Sequence, residues 1–162
     1  MPATEPTEDL IERRRALLAS LRLQANGMLA ELAQVIGVDP PHRLSDEPEA
    51  TLEAVAAFCR RTDFASATED GRIWTLNRLG LYLARLFVER HGGHLHLQDD
   101  PQRPFYLRNV VVDMDPPVVP DARVDPFAIA SDVVHLASKP ELVELIRVAE
   151  RSLVGAARED RQ

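Results

Sequence analysis

Cysteine, lysine and tryptophan occur once each in this chain of 162 residues, as Cys59, Lys139 and Trp74. One cysteine excludes an internal disulfide and fits a reducing compartment. One lysine among 19 basic residues makes arginine the cation of this protein, as a GC-rich bacterial genome would. No apolar run reaches the length of a membrane-spanning helix, and the opening MPATEPTEDL is acidic, without the apolar stretch of a secretory signal. The expectation is a cytoplasmic protein. An excess of acid (net charge -7, pI near 5.2) argues against nucleic acid or an anionic membrane as partner, since both need a basic face.

Catalytic signatures are missing too. The chain has no glycine-rich phosphate loop, no Gly-x-Ser-x-Gly elbow and no His-Glu-x-x-His helix. Its serines, Ser20, Ser45, Ser66, Ser131, Ser138 and Ser152, fall in helices, linkers and caps. No catalytic residue is assigned, no cofactor is expected, and the enzyme reading ranks below a binding one.

What is present is a series of helices. Residues 1–7 carry nothing to bury and are expected to be disordered, and residues 8–155 to form a single domain. The first helix spans 8–36. Leu18, Leu21, Ala25, Met28, Leu32 and Val35 alternate three and four apart, while Leu17, Leu29 and Ile36 widen the stripe toward what a globular core requires. Gly37 stops it. The linker 38–48, with Pro40, Pro41 and Pro48, is expected to be irregular. Asp46 and Glu49 form a capping-box-like start for a helix over 48–61, whose buried face includes Cys59 as a small core hydrophobe.

The segment 63–71 reads as a polar connector, and 72–91 as the central helix, apolar over most of its circumference. Gly80 in its middle costs about 1 kcal/mol against alanine, so a tight crossing by another backbone is expected there. Gly92 and Gly93 end it. Strands are expected over 94–98 and 105–114, with Val118 and Val119 able to add a short edge strand. Asp125 with Pro126 opens a helix over 126–137. Ser138 and Glu141 cap a last helix over 139–154, which Gly155 ends, and residues 156–162 are expected to fray. The resulting fold class is α+β: about five helices packed on one side of a small two- or three-stranded antiparallel sheet.

Three clusters carry possible chemistry. His94 and His96 are two apart on a strand and share one face, where Asp99 or Asp100 could complete a metal shell. Against this, the same alternation turns Leu95 and Leu97 to the core and leaves the histidines as solvated polar residues, and a pair lacks the remaining ligands of a convincing site. Asp113-Met114-Asp115 after a valine strand suggests a metal and nucleotide-sugar element, but no nucleotide-binding unit precedes it. Arg13, Arg14, Arg15 and Arg22 make a basic stretch in an acidic protein. Arg14, Arg15 and Arg22 are the candidate contacts for a partner, against a plain reading as a solvated face flanked by Glu8, Asp9 and Glu12.

The run Leu79-Gly80-Leu81-Tyr82-Leu83, followed by Gly92-Gly93, a short strand, the Val110 strand and Val124-Asp125-Pro126-Phe127, resembles uncharacterised small bacterial domains. These combine an LG-x-YL helix, a Gly-Gly stop, short strands and a DPF helix start. The resemblance covers about residues 70–136. The chain departs from it where such domains carry a tryptophan after the glycines, having Leu95 or Leu97 there. The resemblance implies an adaptor, immunity or regulatory protein and carries over no catalytic residue. The leading expectation is therefore a non-enzymatic module binding another protein, including a second copy of itself, through a helical surface or a sheet edge. The alternatives are a metal-dependent enzyme or sensor using His94, His96 and Asp99, and a small-molecule binder with a pocket between the central helix and the sheet.

Overall fold

The computed structural model describes residues 8–102, 108–112 and 123–159. Six α-helices account for most of them: α1 (Glu8–Ile36), α2 (Arg43–Asp46), α3 (Pro48–Arg61), α4 (Glu69–His91), α5 (Pro126–His135) and α6 (Leu142–Glu159). Strands β1 (Leu95–Leu97), β2 (Asn109–Val112) and β3 (Arg123–Val124) are three, four and two residues long. They pair antiparallel in chain order, with Leu95 opposite Val111 and Val111 opposite Val124.

This corrects the α+β expectation: the protein is helical. Among the side chains described, Val124 is the only strand residue in the buried apolar core, and the rest come from helices and the loops between them. The valine pattern did locate β2, but the strands are too short to offer a face on which helices could pack. Instead the helices pack on one another around α4, as a helix apolar on most sides requires. Residues Leu79 to Ala84 are consecutively buried, and Leu86 and Phe87 are fully enclosed. Tyr82 lies among them and donates its hydroxyl to the Pro48 carbonyl at 2.6 Å, fixing the start of α3 on the middle of α4.

Local signals explain most boundaries. Gly37 (φ +90°) closes α1, and the N–H groups of Gly37 and Val38 both reach the Ala33 carbonyl at 2.9 Å. Gly92 and Gly93, at φ +80° and +79°, stop α4 in a conformation that β-carbons disfavour. Asp125 accepts from the N–H groups of Phe127 and Ala128, both at 3.0 Å, with Pro126 in the first turn.

Other boundaries differ. The linker 38–48 contains the helical turn α2. Asp46 ends α2 rather than capping α3, whose N-cap is Glu47, with no side-chain capping bond; the Glu47 carboxylate instead accepts from Arg43 Nε at 2.7 Å. Helix α4 starts three residues early because Thr68 accepts from the Gly71 N–H at 3.1 Å, and Phe64–Ser66 forms a 3₁₀ turn before it. Ser138 does not cap α6, which begins at Leu142 and runs through Gly155 to Glu159. Of the strand expected over 105–114, the part seen is Asn109–Val112. Residues 1–7, Asp113, Asp115, Val118 and Val119 lie outside the described residues.

Gly80 does mark a tight approach, though a ring rather than a backbone makes it. The Phe127 side chain lies over it so closely that a β-carbon at 80 would stand 2.9 Å from Cγ and nearer still to Cδ1 and Cε1. Phe127 is at the start of α5, the helix that packs most extensively on α4. Gly80→Ala is expected to destabilise by about 1–3 kcal/mol through overpacking, despite alanine's better helix propensity. In a Phe127→Leu background the same change should cost clearly less. Urea unfolding of the four variants measures the coupling, and additive costs would overturn the account.

Candidate functional site

Two of the candidate residues from the sequence, Arg22 and His94, meet where α1, α4 and the entry to β1 come together. Arg22 and Ala25 of α1, Leu81, Ala84, Arg85 and Val88 of α4, and Gly93, His94 and Leu95 line a groove of about 390 Å³. Its floor is apolar, with Ala25, Leu81 and Ala84 buried, and its rim carries Arg22, Arg85 and His94. No carboxylate lines it among the described residues. Arg85 is steadied by a 2.7 Å hydrogen bond to Asn26 Oδ1. The spacing places Arg22 and Ala25 on one face of α1 and Leu81, Ala84, Arg85 and Val88 on one face of α4, a concave junction between antiparallel helices.

About two turns up α1 from Arg22, Arg15 donates to Asp99 Oδ2 at 2.7 Å, also standing 3.8 Å from Glu12. This hydrogen bond holds Asp99 below the ordinary carboxylate range, and the nearby His96 adds a smaller pull in the same direction. The pair joins residues 84 apart in sequence and fastens the loop after β1 to α1. Both partners are about half exposed, so solvent screens the pair and it positions the loop more than it stabilises the fold.

His94 and His96 do share a face, with ring centroids 5.2 Å apart and planes tilted by 43°. The clean alternation expected of β1 is absent: Leu95, His96 and Leu97 are all half-buried. Asp99 is taken by Arg15, and among the described residues no three His, Cys, Asp or Glu side chains converge as metal ligands. His91 turns away from both histidines. Its Nε2 lies 3.0 Å from Glu150 Oε1, beside Arg90, which bridges Glu49 of α3 at 2.6 Å and Glu150 of α6 at 2.8 Å. Arg14 falls on a different stripe of α1 from Arg15 and Arg22, so the three arginines do not form one patch. Cys59 is buried, and that burial pushes its thiol up to about 12, which makes it a core side chain rather than a nucleophile.

The structure also lines up a serine, an imidazole and a carboxylate that sequence reading passed over. Ser131 Oγ is 3.4 Å from His135 Nδ1, and His135 Nε2 is 3.6 Å from Glu69 Oε1. The first link is an i,i+4 spacing on α5, the only signal in the sequence. Both distances exceed the 2.6–3.2 Å or so of an activated nucleophile, and His135 is exposed on the helix surface. A solvated helix pair with a neighbouring carboxylate describes this arrangement.

Comparison with family models, with curated proteins and with solved structures yields no match. Among the described residues no helix is long and apolar enough to cross a membrane.

The Arg90 bridge predicts acid sensitivity. Its hydrogen bond holds Glu49 below the ordinary carboxylate range. For Glu150, burial acts upward, but hydrogen bonds from His91 and Arg90 outweigh it and the carboxyl also lies low. A carboxylate lowered on folding adds stability that is present above its unfolded pKa, about 4.3, and is lost as pH falls through the folded value. Urea midpoints should therefore drop from pH 5 toward pH 3, and drop less in Arg90→Met. Parallel pH profiles for the two proteins would refute the assignment.

Proposed function

We propose that this chain is a non-catalytic interaction module that holds an acidic, apolar-anchored segment of a partner protein in the groove between α1, α4 and β1. One observation carries the reading: in a protein of net charge -7, an apolar floor is rimmed by two arginines and a histidine without a lining carboxylate among the described residues. An apolar side chain seated over Leu81 and Ala84 would gain roughly 1.5–3 kcal/mol from burial. Carboxylates flanking it would meet Arg22 and Arg85, where guanidinium groups bind in a bidentate manner. The resemblance of residues 70–136 to uncharacterised small bacterial domains, which implies an adaptor, immunity or regulatory role, agrees with this proposal.

A groove of this volume also falls within the range that small ligands occupy, which supports a second reading as a binder of amphiphilic carboxylates. Arg22 and Arg85 are exposed, so Arg22→Glu with Arg85→Glu should leave the thermal midpoint within a few degrees of the parent while inverting the rim. Affinity capture from lysate should recover a partner on the parent protein and lose it on the double variant. A partner retained equally by both would reject the groove. Mass spectrometry of the native protein decides the second reading by showing a bound small acid.

A further inference from the structure

Helix α1 carries apolar residues that its own fold leaves uncovered. Its buried face is Leu18, Ala25, Leu29, Leu32 and Ala33. Beside that face runs a second stripe, Leu10, Arg14, Leu17, Leu21, Gln24, Met28, Glu31 and Val35, whose spacing alternates four and three without a break. Leu10 is 37% exposed, Leu17 57% and Val35 56%, while Leu21 and Met28 are half-covered. An unbroken four-three alternation from Leu10 to Val35, nearly the whole of a 29-residue helix, is the pattern of a helix–helix seam. Leu21 and Met28 also pack against the core, but Leu10, Leu17 and Val35 are left uncovered by it.

The stripe is complementary to itself when reversed. Laid antiparallel on a second copy, with a two-fold axis between positions 22 and 23, Leu10 faces Val35, Leu17 faces Met28, Leu21 faces the stem of Gln24, and Arg14 faces Glu31. Every apolar end meets an apolar partner, and Arg14 comes beside the Glu31 carboxylate, whose Oε2 the Arg78 guanidinium of the same copy holds at 2.7 Å. In a parallel pairing each residue would face its own copy, so Arg14 would oppose Arg14 with no carboxylate beside it, at a cost in charge repulsion. We infer that α1 pairs antiparallel with α1 of a second copy, forming a two-fold symmetric dimer along the Leu10–Val35 stripe. The seam spans about 37 Å at 1.5 Å per residue, and the isologous arrangement uses each contact twice. This inference stands independently of the groove and its partner.

Light scattering coupled to size exclusion tests it first. The parent protein is expected at twice the 18.1 kDa chain mass, giving way to monomer on dilution. Leu17→Glu places a charge at an exposed position, so the fold should persist by circular dichroism and thermal midpoint. The dissociation constant should rise about a hundredfold, a decade for each symmetric copy. Direction is read by cysteine pairing. Leu17→Cys mixed with Met28→Cys should cross-link on mild oxidation, whereas Leu17→Cys alone should not, because its two copies would lie about 16 Å apart, beyond disulfide reach. Buried Cys59 gives no background. A monomeric parent at all concentrations, a dimeric Leu17→Glu, or self-linking of Leu17→Cys would each overturn the inference.

Discussion

The whole arrangement depends on a side chain that is missing. Because Gly80 has no β-carbon, the Phe127 ring can lie directly on the α4 backbone, and α5 settles against the middle of the central helix. That contact sets the distance between the first and second halves of the chain. From α5 the chain is held backward through the Asp125 cap to β3, and β3 pairs with β2, which pairs with β1. The strands are thus an end-of-helix clamp. They return the chain from the double-glycine stop of α4 to the start of α5, and so hold His94 and Leu95 beside α1.

On the opposite side of α4 the anchors are polar. Tyr82 fixes α3 through the Pro48 carbonyl, and Arg90 ties α3 and α6 through Glu49 and Glu150. A buried hydroxyl must find a partner, and the Pro48 carbonyl, which also accepts from the Thr51 hydroxyl at 3.2 Å, has a second lone pair to offer. The guanidinium spans two helices because its five donors form a fork that one carboxylate does not fill. These are positional constraints more than large stability terms. They set the angle at which α4 presents Leu81, Ala84 and Arg85 to the groove.

Signals confined to a few residues were legible in the sequence. The bounds of α1 and α3, the glycine stops, the Asp125-Pro126 start and the crowding at Gly80 all follow from backbone geometry over one or two turns. Two kinds of feature were not. The first is competition between local signals: Thr68 outcompetes the later start expected for α4, Asp46 closes a turn instead of opening a helix, and Gly155 is passed over within α6. A glycine costs about 1 kcal/mol inside a helix, which is less than the packing of a continuing amphipathic helix can return. The second is distance. Nothing around Arg15 points to Asp99, and nothing around Arg22 points to His94, because both meetings depend on how α4 and β1 fold back. The fold class failed for a related reason: valines mark a strand, but burial across all elements decides whether a sheet or a set of helices holds the core.

Helix α1 brings these threads together because it carries three separate faces. One packs on α4, one offers Arg22 and Ala25 to the groove, and one presents the Leu10–Val35 stripe. At 100° per residue Leu21 and Arg22 point in clearly different directions, so pairing through the stripe leaves the groove rim of each copy in place. A two-fold dimer would then expose two identical grooves at a fixed separation. A single short apolar-acidic segment gains little from so shallow a groove, since ordering and translational costs offset most of a few contacts. Two grooves held rigidly apart make the second contact intramolecular, and affinity rises for a partner that carries two such segments at matching spacing. The N-terminal turns of α1 add little to the core of one copy, since Leu18 is its first buried residue, and in the proposed dimer they would complete the seam.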